Sequence, residues 1–300
     1  GIKPVFWEKY SCLTEAETPA YPLLAINHGA AQKMWAVSLC VTDVNGQKAL
    51  ESKTEVTAQS GGAYELKEIP LPQLRKKGFY TVQAEIADGA GKIQAFTNHY
   101  AVFPTDAPAL KDGRLASYYG QHYEGRYDLD IYRKAQLKTL RVGGTNPFTW
   151  NHVEPVKGRF DFSQADAFVA EARVNGIEVL GILGHSPRWA TVEPDESVKK
   201  AGAWRYTAWK PRSVEEWGAY VRETVSRYKG AVRCWEIWNE IDWHPPAPPY
   251  SFTGTTEEYL TLLREAYRQA KAADPDCQVL ISGFGMFGDK KMPSDLLTMG

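Results

Sequence analysis

The sequence RCWEIWNEID, residues 233–242, interleaves apolar and charged side chains at the two-residue spacing of a β-strand. Glu236 and Glu240 stand in a run whose other residues are typical of a buried strand. Burying a carboxylate is costly unless its charge is paired or used. Two interpretations are open at this point: an amphipathic surface strand, or a strand that directs acids into a functional site.

From about Leu115 onward, strand and helix patterns alternate around this stretch. The run IEVLGILG, residues 177–184, is continuously apolar, which is typical of a strand buried on both faces of a sheet. The alternation predicts a parallel sheet of about five strands, either doubly wound or part of a (β/α)₈ barrel. The first strand is not followed by a G-x-G-x-x-G loop, which disfavours a dinucleotide-binding fold.

Besides the helix candidate LDIYRKAQLK (129–138), three helices with N-terminal cap residues are predicted between these strands. Ser163 is the expected N-cap of the first, and capping boxes at Ser213-x-x-Glu216 and Thr255-x-x-Glu258 begin the other two. The expected apolar stripe of the third helix consists of Leu260, Leu263, Tyr267 and Ala270.

Residues 1–104 show strand patterns with turns and no helical period. Asn45-Gly46 and Asp88-Gly89 are expected hairpin turns. Short strands at this spacing predict an antiparallel β-sandwich. The domain organisation predicted is therefore a sandwich over 1–104, a Pro-rich linker over 105–114, and the N-terminal part of a (β/α)₈ barrel over 115–300.

Composition excludes several classes of protein. Hydrophobic residues make up 43% of the 300 and charged residues 24%, as in an ordinary globular protein. A net charge of −1 provides no global field for nucleic acid, and no apolar run is long enough to span a bilayer. The four cysteines lack metal-site spacing, and we expect buried free thiols, although a Cys12–Cys40 bridge stays possible.

Polar and aromatic side chains gather where the predicted strands end. In a barrel these carboxyl ends form the active-site face. The candidates are His122, Arg141, His185, Trp189, Asn239, Glu240 and Trp243.

Glu240 closes the strand of the opening stretch, between Trp238 and Trp243. A carboxyl partly removed from water favours the protonated form, which a general acid requires. A solvated, capped strand end explains the same position equally well.

Glu236 has the same strand parity as Glu240 and would lie about 13 Å deeper. A buried acid there needs a cation, for which Arg141 is the natural candidate. A structural ion pair is the favoured interpretation of Glu236 over a catalytic role.

The sequence WEIWNE resembles the acid/base motif of clan A glycoside hydrolases, which are (β/α)₈ barrels. Other segments are similar, in the same order, to bacterial relatives of glycoside hydrolase family 39. They are FTWNHVEPVKGRFDFSQAD (148–166), ILGHSPRWA (182–190) and the run from WKPRS to WNE (209–240). The likeness covers roughly residues 115–285.

The resemblance implies a retaining hydrolase of β-linked glycosides or polysaccharide, with no metal or cofactor. It makes Glu240 the acid/base and Asn239 the residue that holds the sugar 2-hydroxyl. Its nucleophile is a second glutamate at the end of the seventh strand, which is not within these 300 residues. Ile241-Asp242 stands where the family often has Pro-Asn, so this loop is expected to differ.

Two other classes of function stay open: a non-catalytic carbohydrate-binding relative, and a structural surface protein. Carbohydrate is the expected partner, without nucleic acid or a membrane span, and the oligomeric state is not predicted. The first residue is Gly1, which fits a mature or excised segment. We expect an extracellular or periplasmic protein.

Overall fold

The computed structural model describes residues 1–5, 11–72, 74–105, 116–119, 129–143, 146–201, 205–243, 250–285, 288–289 and 291–299. Its internal contacts divide the chain into two compact units. The first consists of Gly1–Leu110 and Asp130–Gln136, and the second of Lys111–Leu129 and Leu137–Gly300.

The first unit contains eight strands in two sheets. They are β1 (Ile2–Pro4), β2 (Cys12–Thr14), β3 (Ala20–Ile26), β4 (Lys33–Asp43), β5 (Lys48–Ala58), β6 (Tyr64–Pro70), β7 (Gly78–Asp88) and β8 (Ile93–Phe103). One sheet has the order β1-β3-β6 and the other β2-β8-β7-β4-β5. Pairing is antiparallel except that β2 runs parallel to β8, so the larger sheet is mixed.

Both sheets contribute to one buried hydrophobic cluster. Tyr21 and Leu23 of β3 join it from the smaller sheet, and alternate residues of β4 and β7 join it from the larger. Buried residues alternate along β4 and β7, as expected of strands with one face in the core; they are Trp35, Val37, Leu39, Val41, Tyr80, Val82, Ala84 and Ile86.

The two hairpin turns share one geometry. In the first, the Asp43 carboxylate accepts bonds from the backbone of Asn45 and Gln47, and Gly46 has a positive φ of 76°. In the second, Asp88 accepts from Ala90 and Lys92, and the positive φ belongs to Gly91 at 78°. The second turn is therefore centred two residues beyond the predicted Gly89.

The helix α1 (Asp130–Lys134) belongs to the first unit. Its Lys134 is 5% exposed and donates to the Cys12 carbonyl at 2.9 Å and to Glu17 at 2.8 Å. Asp130 lies 3.0 Å from the same ammonium group. A buried lysine thus has two carboxylate partners, as the cost of burying its charge requires.

The second unit contains five parallel strands, in agreement with the predicted count. They are β9 (Ala116–Tyr119), β10 (Thr139–Val142), β11 (Glu178–Leu183), β12 (Cys234–Ile237) and β13 (Gln278–Leu280), in the order β13-β12-β11-β10-β9. Sequential neighbours with helical connections are typical of a (β/α) barrel wall.

The helices of the second unit are α2 (Trp150–Val153), α3 (Ser163–Val174), α4 (Glu196–Ala201), α5 (Val214–Arg227), α6 (Thr256–Ala273) and α7 (Met292–Met299). Short 3₁₀ turns cover Arg188–Ala190 and Tyr206–Ala208. None of the helices in the described ranges combines the length and apolar character that crossing a membrane requires.

Two of the three predicted caps are present. Ser213 accepts from the Glu216 backbone, and Thr255 forms the full capping box with Glu258. Ser163 is not an N-cap, because the helix N-cap is Phe162 and Ser163 is the first helical residue. The backbone N–H of Ser163 instead donates to the side chain of Asp161, the residue before the N-cap.

The sheet of the second unit has two different faces. Leu140, Leu183, Trp235 and Ile237 point to one face and are completely buried. The other face carries half-buried or exposed side chains, among them Thr139, Arg141, Leu180, Cys234 and Leu280, together with the buried Ile182 and Glu236. The second face is the one that would line the interior of a barrel.

None of the four cysteines forms a disulfide, so the possible Cys12–Cys40 bridge is not formed, but the expectation that all four are buried is wrong. Cys277 is buried, whereas the other three are partly exposed.

Candidate active site

The candidate site begins where β12 ends, at Ile237. Trp238 and Glu240 have left-handed backbones, with φ of 71° and 50°. His185, just after β11, has a φ of 55°. Such angles are costly for residues with a side chain and concentrate at functional sites. The strained positions therefore mark the carboxyl-end edge of the sheet between β11 and β12.

These backbone angles correct the expectation that Glu240 and Glu236 lie on the same face of one strand, with Glu236 deeper. Strand alternation does not reach Glu240, because the strand stops three residues earlier. The Glu240 side chain is exposed rather than partly desolvated, and Trp238, with no exposed surface, turns into the core instead. Trp238 is held there by its indole N–H, which donates to the Ser251 carbonyl at 2.7 Å.

Glu236 is buried, and it lies in the predicted ion pair with Arg141. The guanidinium donates from Nε and Nη2 to the two carboxylate oxygens, both at 2.7 Å. The backbone N–H of Gly283 donates to the same carboxylate at 2.7 Å. Three donors on two oxygens satisfy a charge that would otherwise be too costly to bury.

Asn239 joins this cluster through the same guanidinium. Arg141 Nη2 donates to Asn239 Oδ1 at 2.8 Å. Since Oδ1 accepts this bond, the amide group Nδ2 is left to donate elsewhere. Asn239 itself is half-buried.

Glu240 connects to the cluster through its backbone. Its N–H donates to the Gly283 carbonyl at 3.0 Å, and its carbonyl accepts from Trp243 at 3.0 Å. Gly283 therefore bridges the Glu236 carboxylate and the Glu240 main chain. A Cβ atom on Gly283 would lie 3.3 Å from Glu236 Oε1 and 3.4 Å from Arg141 Nη2, so the approach is tight.

His185 lies beside Trp238, with 5.7 Å between the ring centroids. Its Nδ1 is 3.4 Å from the Thr207 carbonyl, which can only accept, so Nδ1 carries the proton and Nε2 is an acceptor in the neutral ring. Although part of the residue reaches solvent, the protein packed around the ring lowers the pKa of His185. The neutral form is therefore favoured near pH 7.

The other three predicted site residues are Trp189, Trp243 and His122. Trp189 is half-buried, packs edge-on against Trp150 at 5.5 Å and donates to the Glu154 carbonyl, so part of its surface is used in packing. Trp243 is half-buried beside the loop of Gly285. His122 lies outside the described residues.

Sequence reasoning missed two residues near this edge. Gly283 is not among the predicted site residues, and its glycine identity in SGFG is the available signal. His152 of α2 is not among the predicted site residues, yet its charge contributes to lowering the pKa of His185. Its Nδ1 is 2.9 Å from the Asn146 carbonyl, which orients the ring.

The arrangement combines an exposed carboxyl, an amide donor and a neutral imidazole acceptor at one edge of a parallel sheet. A carboxyl can transfer a proton, and the other two groups suit hydroxyl groups of a ligand. Beneath them, the Arg141 guanidinium and the buried Glu236 carboxylate form an ion pair.

A model of glycosyl hydrolase family 10 matches residues 131–299, more than half of the chain. The thermostable celloxylanase of Thermoclostridium stercorarium is 24% identical over 242 residues, which cover 76% of this chain and 57% of that protein. Endo-1,4-beta-xylanase C of Paenibacillus barcinonensis is 27% identical over 165 residues, which cover 49% and 14%. The chain thus spans less than two thirds of either relative.

A solved structure of a family 39 glycoside hydrolase from Bacteroides cellulosilyticus WH2 is similar in fold. Its TM-score is 0.56 at 22% identity, covering 86% of this chain and 48% of that one. The predicted likeness to clan A is confirmed, with family 10 as the family whose model matches.

Proposed function

The chain belongs to glycosyl hydrolase family 10, and from this premise we propose that it acts in a retaining glycoside hydrolase of β-linked polysaccharide. The observation that carries the proposal is the Asn239-Glu240 pair at the carboxyl end of β12, with Asn239 held by Arg141. Relatives named as xylanases support β-1,4-linked xylan as the substrate class.

Glu240 is the proposed general acid/base. In the first step it protonates the leaving oxygen, and in the second it removes a proton from water. The partner nucleophile is a second carboxylate roughly 5–5.5 Å away, as retention requires. Glu236 is unsuited to that role, because Arg141 and Gly283 already occupy its oxygens. We expect the nucleophile to be a residue that is not among these 300.

Asn239, Arg141, His185, Trp189, Trp243 and His122 are the proposed substrate-binding set. Asn239 is oriented to donate from Nδ2, which suits the oxygen of the sugar 2-hydroxyl. His185 offers a neutral acceptor to a hydroxyl proton. Tryptophan faces can stack on sugar rings.

Residues 1–104 are proposed as an accessory β-sandwich domain, with a linker over 105–114. Support comes from the two sheets that share one buried cluster. A polysaccharide is too large to enter a cell intact, which supports an extracellular or periplasmic location.

The test is Glu240→Gln in the full-length protein, because the amide can neither give nor take a proton. We expect both steps to slow by at least about 100-fold on aryl β-xylosides with poor leaving groups, and leaving-group dependence to steepen. Azide, which needs no base, should partly restore the second step. Glu257→Gln, on the exposed face of α6, is the matched control and should keep wild-type turnover.

Wild-type turnover of Glu240→Gln on a poor leaving group would refute the assignment of Glu240. Binding of xylan without any cleavage by the wild-type protein would instead favour a non-catalytic carbohydrate-binding relative.

A further inference from the structure

Glu236 lies beneath the site and is connected to both members of the Asn239-Glu240 pair. Through Arg141 Nη2, its carboxylate reaches the Asn239 side chain. Through the Gly283 peptide, it reaches the Glu240 main chain. No other carboxylate in the described residues makes both of these connections.

We propose that Glu236 is a positioning residue, which fixes the Asn239 amide for the sugar 2-hydroxyl and holds the backbone of Glu240 in place. This inference rests on the proposed function. The bidentate contact explains why a glutamate and an arginine are needed, since two parallel bonds define the plane of the guanidinium.

The position of the guanidinium decides which atom Asn239 presents. One Nη2 group bonds both Glu236 Oε1 and Asn239 Oδ1, at 2.7 and 2.8 Å. If the guanidinium rotated, Asn239 would lose the partner that keeps its oxygen turned inward. A neutral glutamine at position 236 has one acceptor oxygen instead of two, so it cannot hold Arg141 in the same plane.

The backbone connection acts on Glu240. Its left-handed φ of 50° is a costly conformation that the surroundings must maintain. The Gly283 carbonyl accepts its N–H, while the Gly283 N–H is fixed by Glu236. Glu236 therefore supports both the strained backbone and the oriented amide. A glutamine at position 236 keeps one oxygen to accept the Gly283 N–H, so Glu236→Gln leaves the backbone contact in place and tests the contact through Arg141 with Asn239.

The experiment compares two substrates in the full-length protein, an aryl β-xyloside and its 2-deoxy analogue. Hydrogen bonds to the 2-hydroxyl strengthen in the transition state, so a residue acting through Asn239 matters most when this hydroxyl is present. We expect Glu236→Gln to lower kcat/KM about tenfold to a hundredfold on the xyloside, and less than about threefold on the analogue.

Asn239→Ala should show the same dependence on the 2-hydroxyl. The double variant should be no slower than Asn239→Ala by more than about threefold, because the two residues act as one unit. Asp166→Asn is the matched control. Asp166 accepts a comparable bidentate contact from Arg227 on the surface of α3 and α5, and its loss should leave both substrates unaffected.

Equal losses on both substrates would overturn the inference and leave Glu236 a purely structural residue. Should Glu236→Gln fail to fold, Arg141→Lys tests the same contact, because lysine keeps the charge but not the bidentate geometry. The same dependence on the 2-hydroxyl is expected, and its absence counts against the inference.

If the wild-type protein cleaved neither substrate, the proposed function would be refuted. The role of Glu236 would then be tested by ligand binding alone. The side-chain amide signal of Asn239 should shift in NMR spectra on titration with xylobiose. Glu236→Gln should abolish that shift, and Asp166→Asn should keep it. A shift that persists in Glu236→Gln would overturn the inference.

Discussion

Gly181 in β11 is required by the packing of a single tryptophan. A Cβ atom there would lie 2.5 Å from Trp235 Cζ3 and 2.7 Å from Cε3. The Trp235 ring is completely buried and packs edge-on against Phe148 at 5.3 Å, so it has little room to move. We expect Gly181→Ala to lower the free energy of unfolding by about 1–3 kcal/mol, measured by chemical denaturation.

The control for this substitution is Gly89→Ala. No atom lies within 4 Å of a Cβ placed on Gly89, and its φ is not in the left-handed region. We expect its effect to stay within about 0.5 kcal/mol. If the two substitutions changed the free energy of unfolding equally, the contact with Trp235 would not decide the cost of Gly181→Ala. Backbone propensity would decide it instead.

Residue identities predicted the site only where the strand is regular. The pairing of Glu236 with Arg141 followed from alternation, and the structure contains it. The environment of Glu240 did not follow, because the left-handed angles at Trp238 and Glu240 end the alternation. Neither residue is a glycine, so the sequence carries no local signal for such angles.

The capping box of α6 is a separate test at the scale of an element. Thr255 accepts from the Glu258 backbone at 3.3 Å, and Glu258 accepts from the Thr255 backbone at 2.9 Å. We expect Thr255→Ala to cost about 1 kcal/mol, measured by urea denaturation. Ser163→Ala is the control, because Ser163 does not cap α3 and the substitution should cost less than about 0.5 kcal/mol.

The elements themselves were predicted better than their faces. The helices α3, α5 and α6 were expected from their periodicity and caps. The buried face of α6 is nevertheless Tyr259, Leu262, Ala266 and Ala270 with Leu260, whereas Tyr267 is 54% exposed. Both sets of residues have helical spacing, so only tertiary packing chooses between them. The second hairpin differs in the same way, since Gly89 and Gly91 both allow a turn and Gly91 takes it.

At the scale of the whole molecule, chain order and structural unit do not coincide. Residues 130–136 belong to the first unit, although they follow β9 of the second. This division could not be predicted, because LDIYRKAQLK has the ordinary pattern of a helix between two strands. Lys134 connects this segment to the first unit, and its partners Cys12 and Glu17 are more than 100 positions away in sequence.

The ion cluster of Lys134 should make this segment sensitive to acid. Burial alone would raise the pKa of Glu17, but the bonds from Lys134 and the Thr14 backbone outweigh it and lower the value. Burial likewise raises the pKa of Asp130, but its bonds with Arg133 and Lys134 outweigh this effect and lower the value. A lowered carboxyl pKa in the folded state contributes stability above the unfolded value near 4, and that stability is lost as pH falls through the folded value.

We therefore expect hydrogen exchange of residues 130–136 to accelerate as pH falls below about 4, after correction for the intrinsic rate. Lys134→Met should accelerate it already at pH 7, by about tenfold, and should weaken the dependence on pH. The effect stays below that of a fully buried pair because the Glu17 and Asp130 side chains are 41% and 51% exposed. Lys48→Met, which breaks an exposed pair with Glu51, is the control and should change neither quantity. If Lys134→Met left exchange at pH 7 unchanged, some other contact would hold residues 130–136 in the first unit.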